Sequence, residues 1–112
     1  MIESVRDAEE KRRIARMIIE ALPEWFGIPE ARETYIREAV NEIMVASSEN
    51  GEANGFLCLK ETGKDTVELA VMGVLKEYHR RGIGTALFHA AKAIAAERGY
   101  SFMQVKTVQP GR

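Results

Sequence analysis

Apolar positions in this chain recur at two periods, and the change of period divides it into elements. From Ala8 to Phe26 they fall three and four apart, so that Ile14, Met17, Ile18 and Ala21 are expected on one helical face. Glu3–Arg6 before it reads as a short strand. The stretch Leu22-Pro23-Glu24-Trp25-Phe26-Gly27-Ile28-Pro29 interrupts the pattern. Pro29, suited to a first helical turn, opens a second helix that runs to about Glu42. The period then becomes two. Ile43–Ser48, Gly55–Glu61 and Thr66–Leu75 read as strands, joined at Glu49-Asn50-Gly51-Glu52 and Thr62-Gly63-Lys64-Asp65 into an antiparallel meander. Strict alternation in the third strand puts Val67, Leu69, Val71 and Leu75 on one face and Glu68, Ala70, Met72 and Val74 on the other.

A helical period returns from Ile83 to Arg98, with Ile83, Ala86, Leu87, Ala90, Ala91, Ile94 and Ala95 on one stripe and Gly99 placed to end it. The small alanines predict close packing against a sheet. Ser101–Val108 reads as a last strand before Pro110-Gly111-Arg112. The expected order is β-α-α-β-β-β-α-β, an α+β layout with a central meander flanked by helices. No repeat, low-complexity tract or linker interrupts it, so residues 1–112 read as a single domain.

Composition narrows the functional classes. Of 112 residues, 46% are hydrophobic and 29% charged, which is enough for one core in an ordinary globular domain. A net charge of −1, with no basic stripe or aromatic platform, argues against a nucleic-acid binder. No apolar run approaches the roughly 20 residues that span a bilayer, so no membrane partner is expected. The charged start MIESVRDAEEKRR does not resemble a secretory leader, and the lone Cys58 suits a reducing compartment. A cytoplasmic protein is expected, and no metal. Lys11, Arg12 and Arg13 lie beside Asp7, Glu9 and Glu10 and read as a solvated helix face. Trp25 and Phe26 read as caps on the core, with an acceptor-pocket wall as the other reading.

The stretch richest in chemistry is His79-Arg80-Arg81-Gly82-Ile83-Gly84, where a strand hands over to a helix. A helix N terminus leaves backbone N–H groups unpaired and carries the positive end of the macrodipole. Gly82 and Gly84 clear side chains from it, and Arg80 and Arg81 add forked donors, a combination suited to phosphate and best to a pyrophosphate. Two common nucleotide motifs do not fit. The third glycine of a dinucleotide fingerprint is replaced by Leu87, and no Gly-Lys-Ser/Thr tripeptide occurs.

With these residues in view, VELAVMGVLKEYHRRGIGTALFHAAKAIAAERGY resembles the acyl-CoA-binding core of the GNAT superfamily of N-acyltransferases, whose strand is followed by Gln/Arg-x-x-Gly-x-Gly/Ala and a helix. The close match covers Glu68 to about Gly99, and the preceding helices and meander follow the family's order. His79 stands where the family usually has Gln or Arg. The resemblance implies acetyl-CoA as cosubstrate, with the His79–Thr85 segment (His79, Arg80, Arg81, Gly82, Ile83, Gly84, Thr85) around its pyrophosphate. It also implies main-chain pairing of Met72 and Val74 with the pantetheine arm, a form of strand addition. Gly73 would mark the bulge that splays this strand.

Acetyl transfer to an amine needs a base for the ammonium proton, a fixed donor for the oxyanion and an acid for the departing thiolate. By resemblance Val74 N–H is the oxyanion donor. Glu68 is the expected base, placed by alternation on the face of Met72 and Val74. His89 reads as a helix-surface residue and Cys58 as a buried strand cysteine. Family members usually continue past Ser101–Val108 into a further helix and two strands that supply a tyrosine acid; the domain is thus expected to be C-terminally short. An open edge there predicts a homodimer through the C-terminal strand. The expected activity is N-acetylation of a small-molecule or peptide amine, the alternative a non-catalytic CoA-binding or assembly module.

Overall fold

In the computed structural model, which describes residues 1–105, Asn50 and Gly51 both take left-handed backbone, φ 55° and 83°. This is the geometry that a two-residue hairpin turn demands, and it explains the Asn-Gly pair. The hairpin joins β2 (Ile43–Glu49) to β3 (Glu52–Gly63), and Lys64-Asp65 turn the chain into β4 (Thr66–Val74). The remaining elements are β1 (Ile2–Val5), α1 (Ala8–Glu20), α2 (Pro29–Ala39), α3 (Ile83–Glu97) and β5 (Phe102–Gln104), with a single 3₁₀ turn at Lys76–Tyr78. The strands form one sheet in the order β1-β2-β3-β4-β5. All pairs are antiparallel except β4–β5, which is parallel. The α+β layout and the meander are as expected. The last strand is described only as Phe102–Gln104; positions 106–108 of the predicted one lie outside the described residues.

β3 is the sheet's centre, and every residue from Ala53 to Leu59 is buried. Alternate residues point into two separate cores. On one face Phe56 and Cys58 meet Ile14, Ile18, Ile36 and Met44 under α1 and α2. On the other, Leu57 and Leu59 meet Val45, Val67, Leu87 and Ala91 under α3. Each fully buried aliphatic side chain contributes about 1.5–3 kcal/mol. Ala91 and Ala95 are buried against the sheet, as the spacing predicts, whereas Ala86, expected on the same stripe, is exposed.

The face of α1 is rotated from the expected one. Ile14, Ala15, Ile18, Ile19 and Leu22 are buried, whereas Met17 and Ala21 are exposed. The Asp7 side chain caps α1 by accepting the Glu10 N–H at 2.9 Å. Arg12 and Arg13 pair with Glu9 and Glu10 on a solvated face, as expected. Lys11 departs from them. Its Nζ donates to the Glu42 carbonyl at 2.6 Å and to the Val40 carbonyl at 3.5 Å, closing the C-terminal end of α2. Among the described residues, no helix is long and apolar enough to cross a membrane.

Strict alternation fails in β4. Leu69 pairs with Leu59 and Val71 with Cys58, which leaves Ala70 as an extra residue. Val67 and Leu69 therefore join Val74 on the α3 face, while Ala70, Val71 and Leu75 join the α1/α2 core. Gly73 is not the bulge. A Cβ there would come 3.1 Å from Ile18 Cγ2 and 3.3 Å from Leu22 Cδ1, so α1 crosses the strand closely at this point and a side chain would press on both.

Candidate functional site

Two features come together at the C-terminal end of β4. The first is a strand edge. β5 pairs with β4 only along Thr66–Glu68, and among the described residues no strand pairs with the outer edge from Leu69 to Val74. The Leu75 N–H donates inward to the Asn54 carbonyl at 2.9 Å. Main-chain direction alternates along a strand, so the N–H and C=O groups of Val74 and Met72 point the other way, to the open edge. These are the two residues the sequence marks for main-chain pairing.

The second feature is the start of α3. Gly82 is its N-cap residue, with φ 78° and no side-chain cap, and the first turn holds no acidic residue. Arg80 is also left-handed, at φ 68°. That conformation costs a non-glycine residue about 1–2 kcal/mol. The Arg81 guanidinium lies 5.1 Å from the centre of the Tyr78 ring. Neither Arg80 nor Arg81 meets a carboxylate among the described residues. At Gly84 a Cβ would find only Met72 Cε, at 3.9 Å, so the space before the helix is open and borders the β4 edge.

The loop between α1 and α2 seals one side of this corner. The Glu24 carboxylate pairs with Lys76 Nζ and is held below the usual carboxylate range by that hydrogen bond. Trp25 is 55% exposed, not a cap on the core, and meets the His79 ring edge-on at 5.5 Å between centroids. Phe26 does pack on the core, against Tyr35. The His79 Nε2 lies 2.7 Å from the Val74 carbonyl oxygen. The sequence marked His79 for its backbone alone. No local pattern could show that its side chain reaches back to β4, or that Trp25 meets it, and Glu24 meets Lys76, from a loop about 50 positions earlier. Asn54, which holds the Leu75 N–H, is itself buried, and its side-chain Oδ1 has no hydrogen-bond partner among the described residues.

Glu68 lies elsewhere than expected. The bulge at Ala70 places it opposite Lys60, on the α1/α2 side of the sheet, and not on the face of Met72 and Val74. It is half-buried and stands at the last β4–β5 pair, beside Gln104, where the described pairing ends. Cys58 is fully buried, and burial pushes its thiol well above the ordinary range, so it is no nucleophile. His89 is exposed on α3. Among the described residues no group of three or more His, Cys, Asp or Glu could hold a metal ion. An open recess of about 480 Å³ between Val5, Arg6, Lys11, Ile43 and Arg98 lies at the far end of α3 from this corner.

Comparison with known proteins gives the family and agrees with the fold. The acetyltransferase (GNAT) family profile matches residues 5–112. No curated protein matches the chain. Among solved structures, an aminoglycoside acetyltransferase from an uncultured soil metagenomic sample is 22% identical, with TM-score 0.70 over 97% of this chain and 81% of that one. A ribosomal-protein-alanine N-acetyltransferase from Brucella melitensis biovar Abortus 2308 is 12% identical, with TM-score 0.75 over 97% and 82%. The PaiA N-acetyltransferase from Thermoplasma acidophilum, solved in complex with coenzyme A, is 19% identical, with TM-score 0.66 over 89% and 75%. At these identities the structures speak for the fold, and the profile speaks for the family: this chain belongs to the GNAT acetyltransferases.

Proposed function

We propose that this domain transfers an acetyl group from acetyl-CoA to a primary amine of a small molecule or peptide. The observation that carries the reading is the uncapped, carboxylate-free start of α3 lying against an edge of β4 that, among the described residues, no strand pairs beyond Glu68. The N–H groups of Arg81, Gly82, Ile83, Gly84 and Thr85 would hold the pyrophosphate, with the side chains of Arg80 and Arg81 and only the backbone of His79 around it. The pantetheine arm would run along the main chain of Met72 and Val74.

In this reading the amine comes from the α1/α2 side, toward Glu68. Glu68 accepts a proton from the ammonium, directly or through a water, and frees the nitrogen lone pair. The nitrogen bonds to the thioester carbon while the Val74 N–H faces the oxygen on which charge collects. The C–S bond then breaks, and the departing sulfur takes the second proton, which the nitrogen sheds as the neutral amide forms.

Calorimetric titration with acetyl-CoA, paired with thiol release over a panel of amines, tests both halves. We expect micromolar binding by the wild-type chain. Glu68→Gln should bind acetyl-CoA equally well and turn over about 100-fold more slowly, the usual weight of a positioned base. Undiminished turnover by that variant would remove Glu68 from the chemistry.

A further inference from the structure

We infer that His79 is a positioning residue that sets the Val74 main chain for the pantetheine arm and couples it to the α1–α2 loop. The inference rests on the cofactor reading above and adds a side chain to it. The peptide between Val74 and Leu75 is gripped from two directions. Its N–H goes to the Asn54 carbonyl at 2.9 Å, inside the sheet. Its C=O meets His79 Nε2 at 2.7 Å, on the open edge. A carbonyl acceptor requires that this nitrogen carry the proton, so His79 donates.

The consequence is orientational. Fixing both ends of one peptide group fixes the rotation of the strand at Val74, and with it the direction of the Val74 N–H. The carbonyl keeps its second lone pair, so the His79 bond does not exclude a ligand amide from the same edge.

Trp25 holds the ring in turn. Its edge-on contact at 5.5 Å limits the rotamers of His79, and the Glu24–Lys76 pair ties the same loop to the turn that follows β4. The loop on the acceptor side and the edge on the cofactor side thus share one imidazole.

The test is calorimetry of His79→Ala, His79→Gln and Trp25→Ala with two ligands: acetyl-CoA, and adenosine 3′,5′-bisphosphate extended by a second 5′ phosphate, which carries the pyrophosphate without the arm. His79→Ala should bind acetyl-CoA about tenfold more weakly, the scale of one oriented hydrogen bond. It should bind the armless ligand like the wild type. A side chain that merely supported the fold would weaken both ligands together. His79→Gln keeps an N–H donor and should stay within about threefold of wild type, and Trp25→Ala should lose about threefold for acetyl-CoA alone. Equal acetyl-CoA affinity for wild type and His79→Ala overturns the inference and leaves the cofactor reading intact. A folded wild-type chain that binds neither ligand overturns both.

Discussion

The two long helices of this domain begin in opposite ways. α1 closes its own N terminus: Asp7 accepts the Glu10 N–H, and Glu9 and Glu10 set negative charge in the first turn. α3 begins at a glycine with no cap, has no acid in its first turn, and follows two arginines. Both helices have the same unpaired N–H groups and the same positive pole. α1 supplies its own anion, and α3 leaves the place for another. With glycine at its N-cap the open end forgoes only about a few tenths of a kcal/mol relative to a capping side chain, and it adds a strained Arg80. The contrast extends to α2, whose C-terminal end is closed by Lys11. The N terminus of α2 also lacks a side-chain cap, at Ile28, but Pro29 and Glu30 occupy its first turn; among the described α-helices α3 alone opens with neither cap nor acid, and that end marks the site.

Gly84→Glu tests the open end most severely. A Cβ at Gly84 meets only Met72 Cε at 3.9 Å, so the fold has room for a side chain there. A carboxylate at a helix N terminus also suits the macrodipole, and the melting temperature should hold or rise slightly. The new charge would occupy the place proposed for the pyrophosphate. Acetyl-CoA affinity should fall at least about 100-fold, as expected when like charges are forced together at close range. A variant that unfolds readily would show that the space at Gly84 is needed by the scaffold and not by a ligand.

The open end was legible in the sequence because it is local. Six adjacent residues carry the glycines, the arginines and the change of period. The meander was equally legible, since Asn50-Gly51 specifies its turn and period two its strands. What the sequence hid depends on pairing or on long reach. The bulge at Ala70 involves no glycine or proline, and it arises only when β4 is laid against β3. It reverses the face of Glu68, which alternation alone had set beside Met72. In α1 the run Ile14-Ala15-Arg16-Met17-Ile18-Ile19 offers two overlapping apolar stripes, and packing chose the one without Met17. Lys11 looked like one of three solvated cations until the chain folded and brought the Glu42 carbonyl within its reach.

The closed end of α2 has a pH dependence of its own. Glu42 is buried beside Cys58; burial, then the charge of Glu38, pushes its carboxyl up to about 7, against the opposing pull of Cys58, Lys60 and Lys11. The sign follows from linkage. Below about 4.5, the ordinary value, Glu42 is protonated in both folded and unfolded chains. Between there and about 7 the folded chain keeps a proton that the unfolded chain has lost, so stability falls as pH rises. Above that window the loss is complete, on the order of 1–3 kcal/mol. Glu42→Gln removes the titration, so denaturant melts at pH 5 and pH 8 should show a steeper loss for wild type than for the variant. Parallel losses would mean that Glu42 stays ionised in the folded chain. The open end of α3 lies outside this dependence.

The smallest effect belongs to the cap itself. Asp7→Ala removes the acceptor for the Glu10 N–H but leaves Glu9 and Glu10 in the first turn, so part of the charge complementarity survives. The expected cost is about 1 kcal/mol, near 4 °C in melting temperature for a domain of this size. Acetyl-CoA affinity should not change, because Asp7 lies at the opposite end of α1 from Ile18 and Leu22, where the helix crosses β4. The pair of outcomes separates the two kinds of helix end. A substitution at the closed end should move stability and spare binding, and one at the open end should do the reverse. If Asp7→Ala weakened acetyl-CoA binding as much as it lowered stability, the two ends would be one cooperative unit. The open start of α3 would then be a strained part of the scaffold.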